Sequence, residues 1–130
     1  MGGVMRYLAK IEAMSRGVVV LDENITALRL LLQARNIKVI VPPVGMKDPD
    51  IIATLLPHRI LITNNEKDFV SEASSFEFGI VSIPQSLMAD PEKAVKAISD
   101  ALTEHSLWSK RHGFLVRITY GGSTYKELKD

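Results

Sequence analysis

Acidic residues recur at the ends of short apolar runs in the middle of this chain. Val18-Val19-Val20-Leu21 is closed by Asp22-Glu23-Asn24, and Ile60-Leu61-Ile62 runs into Thr63-Asn64-Asn65-Glu66-Lys67-Asp68-Phe69. Between them, Lys47-Asp48-Pro49-Asp50 opens onto Ile51-Ile52. In a parallel sheet the carboxyl ends of the strands share one rim, so acids from separate runs can converge there. Carboxylates so gathered repel one another, by about 4 kcal/mol for unit charges ~4 Å apart at an effective dielectric near 20. Such an arrangement calls for a cation. Thr63, Asn65 and Asp68 offer further oxygen donors, which suit the hard ions Mg²⁺ and Mn²⁺. A metal-dependent enzyme is the expectation.

Each acidic place also has a plainer explanation. Asp22 and Glu23 stand where a helix would follow the strand, and carboxylates favour the positive end of a helix dipole. Side chains alternate across a strand, so only one of the two need face a site; Asp22 is the choice, with Glu23 as a supplementary ligand or base. Asp48 has the chemistry of an N-cap, with Pro49 in the first turn. Two carboxylates in that turn, Asp48 and Asp50, exceed what capping requires.

Other chemistries fare worse. His58, His105 and His112 lack the i, i+4 spacing of a zinc site. Gly121-Gly122 is not followed by a helix, so it is no phosphate loop, and no serine stands at a strand-to-helix elbow. Trp108, the single tryptophan, reads as a packing anchor. After Ser106 the chain carries Lys110, Arg111, His112, Arg117, Lys126 and Lys129 against Glu127 and Asp130. A basic segment beside an acidic rim suits a polyanion whose flanking phosphates meet Lys110, Arg111 and Arg117. The plainer alternative is solvated surface.

The elements that must position these residues are legible as alternating strands and helices. Val4, Leu8, Ile11 and Met14 mark one face of an N-terminal helix, which Gly17 ends. Gly17–Leu21 is a short β-branched run, expected as a central parallel strand. A helix over Ile25–Arg35 follows, with Asn24 as its N-cap. Lys38–Val41 is a second strand stopped by Pro42-Pro43. A helix begins at Asp48 and breaks at Pro57, and Arg59–Thr63 is a third strand. Glu66–Ser75 is expected as a short helix, and Gly79–Ile83 as a fourth strand. Pro91 opens a long amphipathic helix over Ala94, Val95, Ile98, Ala101, Leu102 and His105. Phe114–Thr119 is a terminal strand, and Gly121-Gly122 begins a loose tail. The alternation predicts an α/β three-layer sandwich with a mostly parallel central sheet.

The chain's 130 residues suit one domain: a core over 17–105, an N-terminal helix over 1–16 and a basic segment over 106–130. Its 46% apolar content argues for a packed globule, and the absence of cysteine excludes disulfides and thiolate metal sites. The net charge of +1 favours no partner. No signal peptide or bilayer-spanning run is visible, so a cytoplasmic protein with no membrane partner is expected.

The Leu21-Asp22-Glu23-Asn24 start, the Asp48-Pro49-Asp50-Ile51 helix start and the Leu61–Phe69 signature resemble the PIN-like domain family. The likeness is greatest to the small PIN-like proteins of toxin–antitoxin modules, and covers roughly residues 17–85. It implies a divalent-cation-dependent ribonuclease acting on single-stranded RNA. Asp22, Asp48 and Asp68 would be its catalytic metal ligands, and Glu23, Asp50, Thr63 and Asn65 its supporting residues. It also implies an antitoxin protein as partner and a homo-oligomer, most simply a dimer. Asn65 stands where many members have aspartate, and no glutamate lies between the second strand and Asp48. The alternative is a non-catalytic PIN-like module that binds another protein. A receiver-type phosphate domain is disfavoured, because the strand ending at Val41-Pro42 carries no acid.

Overall fold

A computed structural model describes residues 14–129. Most of the expected N-terminal helix, including Val4, Leu8 and Ile11, lies outside the described residues. Met14 is described, and it is buried.

Six strands form one sheet: β1 (Val18–Leu21), β2 (Lys38–Ile40), β3 (Ile60–Thr63), β4 (Gly79–Ser82), β5 (Phe114–Thr119) and β6 (Gly122–Glu127). Their order is β2-β1-β3-β4-β5-β6, parallel through β5 and antiparallel at β6. The helices are α1 (Arg29–Gln33), α2 (Asp48–Thr54) and α3 (Pro91–Glu104).

Alternation along the strands divides the core into two. Val19, Leu21, Ile60, Ile62, Val81 and Val116 pack with Leu28, with Leu32 of α1 and with Ala94, Val95, Ile98, Ala101 and Leu102 of α3. Val20, Leu61, Ile80 and Leu115 point the other way, onto Ile51 and Ile52 of α2, Leu56, Phe69 and Phe78. Helix, sheet and helix therefore make three layers, because parallel strands buried on both faces need a cover on each. Gly79 serves this packing directly. A Cβ there would lie 2.0 Å from the Phe114 ring across the β4–β5 pair.

Several expected elements differ in detail. The helix over 25–35 is a 3₁₀ segment, Glu23–Leu28, followed by the short α1, because Ile25 takes a non-helical conformation (φ −129°, ψ 27°). Asp22, rather than Asn24, caps that segment by accepting a hydrogen bond from the Asn24 N–H. The α2 N-cap is Lys47, so Asp48 and Pro49 are its first two residues and Asp48 makes no capping bond. Residues 66–75 form two 3₁₀ turns, Glu66–Asp68 and Val70–Glu72, instead of a helix. The expected loose tail is strand β6. Ser123 and Tyr125 face inward on it, with Tyr125 packed against Phe114 and His105. Trp108 does pack against the α3-side core.

Candidate functional site

The strand order reverses direction between β1 and β3, since β1 runs on to β2 at one edge while β3 leads to β4 and β5. Open α/β sheets bind ligands in the crevice above such a switch point. Asp22 leaves β1 there, and Thr63 ends β3 beside it.

Thr63 is the only buried polar side chain among the described residues. Its hydroxyl donates to Asp22 Oδ2 at 2.6 Å and accepts from the Asn65 N–H at 2.9 Å. The Asn65 amide in turn donates to Asp68 Oδ2 at 2.7 Å. The Asn24 N–H donates to the other Asp22 oxygen at 3.2 Å. One hydrogen-bonded chain thus runs from Asp22 through Thr63 and Asn65 to Asp68. It satisfies the buried hydroxyl in both directions, as a buried polar group requires.

Asp22, Glu23, Asp48 and Asp68 line one cavity of about 200 Å³, with Pro42, Ile51, Leu61 and Phe69 as its apolar floor and walls. The lining holds four carboxylates and no lysine, arginine or histidine. The Asp48 carboxyl is held above the usual carboxylate range, first by desolvation and then by the charges of Asp68 and Asp22. That cross-talk ties acids from three separate elements into one electrostatic unit. Among the described residues, however, no three His, Asp or Glu side chains are grouped closely enough to hold a metal ion as they stand. A hard cation that keeps part of its water shell suits such a spread set of oxygens better than a closed protein cage would.

The expected site residues separate into those gathered and those left apart. Asp22, Glu23, Asp48, Asn65 and Asp68 line the cavity, and Thr63 lies immediately beneath Asp22. Asp50 does not line it; its backbone carbonyl accepts from the Thr54 hydroxyl along α2. Of the basic residues, Arg117 lies toward the carboxyl end of β5, level with Ser82 of β4. There it forms an ion pair with Glu66, Nη2 to Oε1 at 2.8 Å. Lys110 and Arg111 precede β5, at the amino end of the sheet and away from the acidic cavity. The Lys110 ammonium sits over the Tyr125 ring, 4.7 Å from its centroid.

The sequence reading missed Glu66 and Ser82. Glu66 follows Asn65 directly, and its partner is 51 residues away, so no local signal marks the pair. The sheet also revises which strand neighbours the site. The second strand is an edge, and the strand beside β1 at the switch point is β3, which ends in Thr63. A receiver-type acid is absent there as well.

The chain matches no family model, no curated protein and no solved structure. No helix among the described residues is long and apolar enough to cross a membrane.

Proposed function

We propose that this protein is a PIN-like, divalent-cation-dependent endoribonuclease that hydrolyses single-stranded RNA, in the manner of the toxin of a toxin–antitoxin module. The observation that carries this reading is the switch-point cavity lined by four carboxylates and no cationic side chain. Mutual repulsion has no internal remedy there, so a soluble cation is the natural counter-charge. Asp22, Asp48 and Asp68 would hold Mg²⁺ or Mn²⁺, directly or through water. The ion would supply Lewis acidity and a bound water made more acidic for attack on a phosphodiester.

The chain's own residues have distinct tasks in this reading. Thr63 holds the Asp22 carboxylate in place through its hydroxyl. Asn65 does the same for Asp68. Asp48 lines the same cavity, and desolvation together with the charges of Asp68 and Asp22 holds its carboxyl above the usual carboxylate range. Glu23 lines the mouth as a supplementary ligand. Arg117, the one expected phosphate contact at the carboxyl end of the sheet, has its guanidinium engaged by Glu66.

The test is cleavage of a varied single-stranded RNA pool with Mn²⁺ or Mg²⁺. EDTA should stop it, and Asp22→Asn should abolish it in a variant whose circular dichroism matches the wild type. The spacing of the carboxylates, wider than direct chelation needs, favours one second reading, a non-catalytic PIN-like module that binds an antitoxin or another protein. RNA left intact in both metals would put that reading first.

A further inference from the structure

The acidic cavity depends on a turn that has little to hold it. Asp68 ends a three-residue 3₁₀ segment, Glu66–Asp68, and both Lys67 and Asp68 are exposed. A single 3₁₀ turn has poor hydrogen-bond geometry and is not stable alone. At its far end the Phe69 ring is buried in the α2-side core. At its near end Asn65 bonds to Thr63 and Asp68, and the Asn64 side chain donates to Gln85. Between these anchors, Glu66 points across the ends of β4 and β5.

Its carboxylate accepts from Arg117 Nε at 2.9 and 3.2 Å and from Nη2 at 2.8 Å, and from the Ser82 hydroxyl. Two guanidinium nitrogens, Nε and Nη2, thus converge on Oε1, with Nε shared with Oε2, in a charge-assisted contact. It differs from most exposed pairs, which contribute little. Ser82 and Arg117 are register partners on adjacent strands, so Glu66 is clamped to the rigid sheet at two points. Glu66 itself is largely covered, while Arg117 is 59% exposed.

The geometry points to Arg117 as a positioning residue for the acidic site: through Glu66 it fastens the turn carrying Asp68 to the ends of β4 and β5, holding that carboxylate toward Asp22 and Asp48. The role of the clamp in cation binding rests on the site reading above, whereas its role in ordering the turn does not. This assignment separates Arg117 from a direct phosphate contact. A guanidinium already bonded to Glu66 through Nε and Nη2 has its best donors engaged, and its charge is largely answered.

Two readouts on the full chain test it. In metal-free protein, amide exchange at Asn65, whose N–H bonds to Thr63, should quicken about tenfold in Arg117→Ala, the size of one charge-assisted hydrogen bond. Arg117→Lys, which keeps the charge and loses the paired donors, should lie between. The exchanged pair Glu66→Arg with Arg117→Glu should return the rate toward wild type, since it restores the contact with its polarity reversed. Mn²⁺ affinity, read by calorimetry, should follow the same order, falling about tenfold in Arg117→Ala and recovering in the exchanged pair. Asn65 exchange that is unchanged in Arg117→Ala would overturn the clamp. Exchange that quickens while Mn²⁺ affinity holds within twofold would overturn its role in cation binding. Wild type that binds no Mn²⁺ at all would sink the site reading, with the exchange series still deciding the clamp.

Discussion

The acidic rim and the basic C-terminal segment look alike in the sequence, as two sets of same-sign charge, yet the fold treats them in opposite ways. Asp22, Asp48 and Asp68 are spread over 47 positions (68 minus 22, inclusive) and face a single cavity. Lys110, Arg111 and Arg117 lie within eight positions of one another (117 minus 110, inclusive) and are divided between the two ends of a strand. Strands β1 and β3 deliver their following residues to the same rim because parallel neighbours in register end together. Strand β5 carries the chain from one end of the sheet to the other, at about 3.3 Å per residue. Closeness in sequence separated the cations, and topology gathered the acids.

The sharpest break of that comparison would come from Asp22. Asp22→Asn should abolish metal-dependent RNA cleavage, because it removes a ligand charge while leaving the Thr63 bond a partner. Asp68→Asn should come close to it, and His112→Ala should change little, since His112 pairs with Glu127 near the amino end of β5. Turnover that survives both aspartate substitutions would put the chemistry somewhere other than this cavity.

Next in size is the support beneath the acids. Thr63→Val keeps the shape but removes the hydroxyl that joins Asp22 to the Asn65 N–H. Leaving those two groups without their partner should cost about 1–3 kcal/mol in denaturant unfolding. A value near zero would show that water replaces the hydroxyl and that the chain of bonds is not structural.

Asp48 should behave in the opposite sense. Its folded pKa is raised, so the stability linked to its proton is present below the unfolded value, near 3.8, and is lost as pH rises through the folded value. At neutral pH the ionised group therefore opposes folding of the metal-free protein. Asp48→Asn should leave the metal-free Tm unchanged or raise it, and any gain over wild type should grow as pH rises from the unfolded value through the folded one and level off above it. Added Mn²⁺ should stabilise the wild type by about 2.7 kcal/mol at a hundredfold excess over its Kd, and the variant by less. A variant that melts earlier at every pH would deny the repulsion.

The smallest effect is expected at the far end. Replacing Lys110 and Arg111 by alanine should flatten the salt dependence of binding by roughly 0.7 in log–log slope per lost phosphate contact. That change should appear only with RNA long enough to reach both ends of the sheet. With short oligonucleotides confined to the acidic rim the slope should not move. An equal change with short and long RNA would mean that these residues share the rim after all.

Legibility followed the physics of each element. β1, β3 and β4 were readable because a strand buried on both faces must be apolar throughout, and apolar runs rich in β-branched residues say so. β5 was readable from its apolar residues Phe114, Leu115, Val116 and Ile118, although Arg117 and Thr119 on it are exposed. The long α3 was readable from its proline start and its periodic apolar face, of which Ala94, Val95, Ile98, Ala101 and Leu102 are buried. β6 escaped because an edge strand needs only Ser123 and Tyr125 turned inward, and its polar outer face resembles a tail. The break at Ile25 and the 3₁₀ turns after Asn65 escaped because helical spacing does not distinguish a continuous helix from short pieces held by tertiary contacts.

For the site, the sequence by itself placed candidate oxygen donors at strand ends; alternation required only that one of Asp22 and Glu23 face a site, and the fold puts both in the cavity lining. Residue type and local period contain that information, since they depend only on near neighbours along the chain. The tertiary structure alone decided that β3 rather than β2 flanks the switch point, that Thr63 bonds to Asp22, that Asp50 stands apart, and that Arg117 answers Glu66. Those facts depend on strand order and register, and the contacts that set them join residues up to 51 positions apart. No local propensity encodes a partner at that distance; only the packing of the sheet selects it.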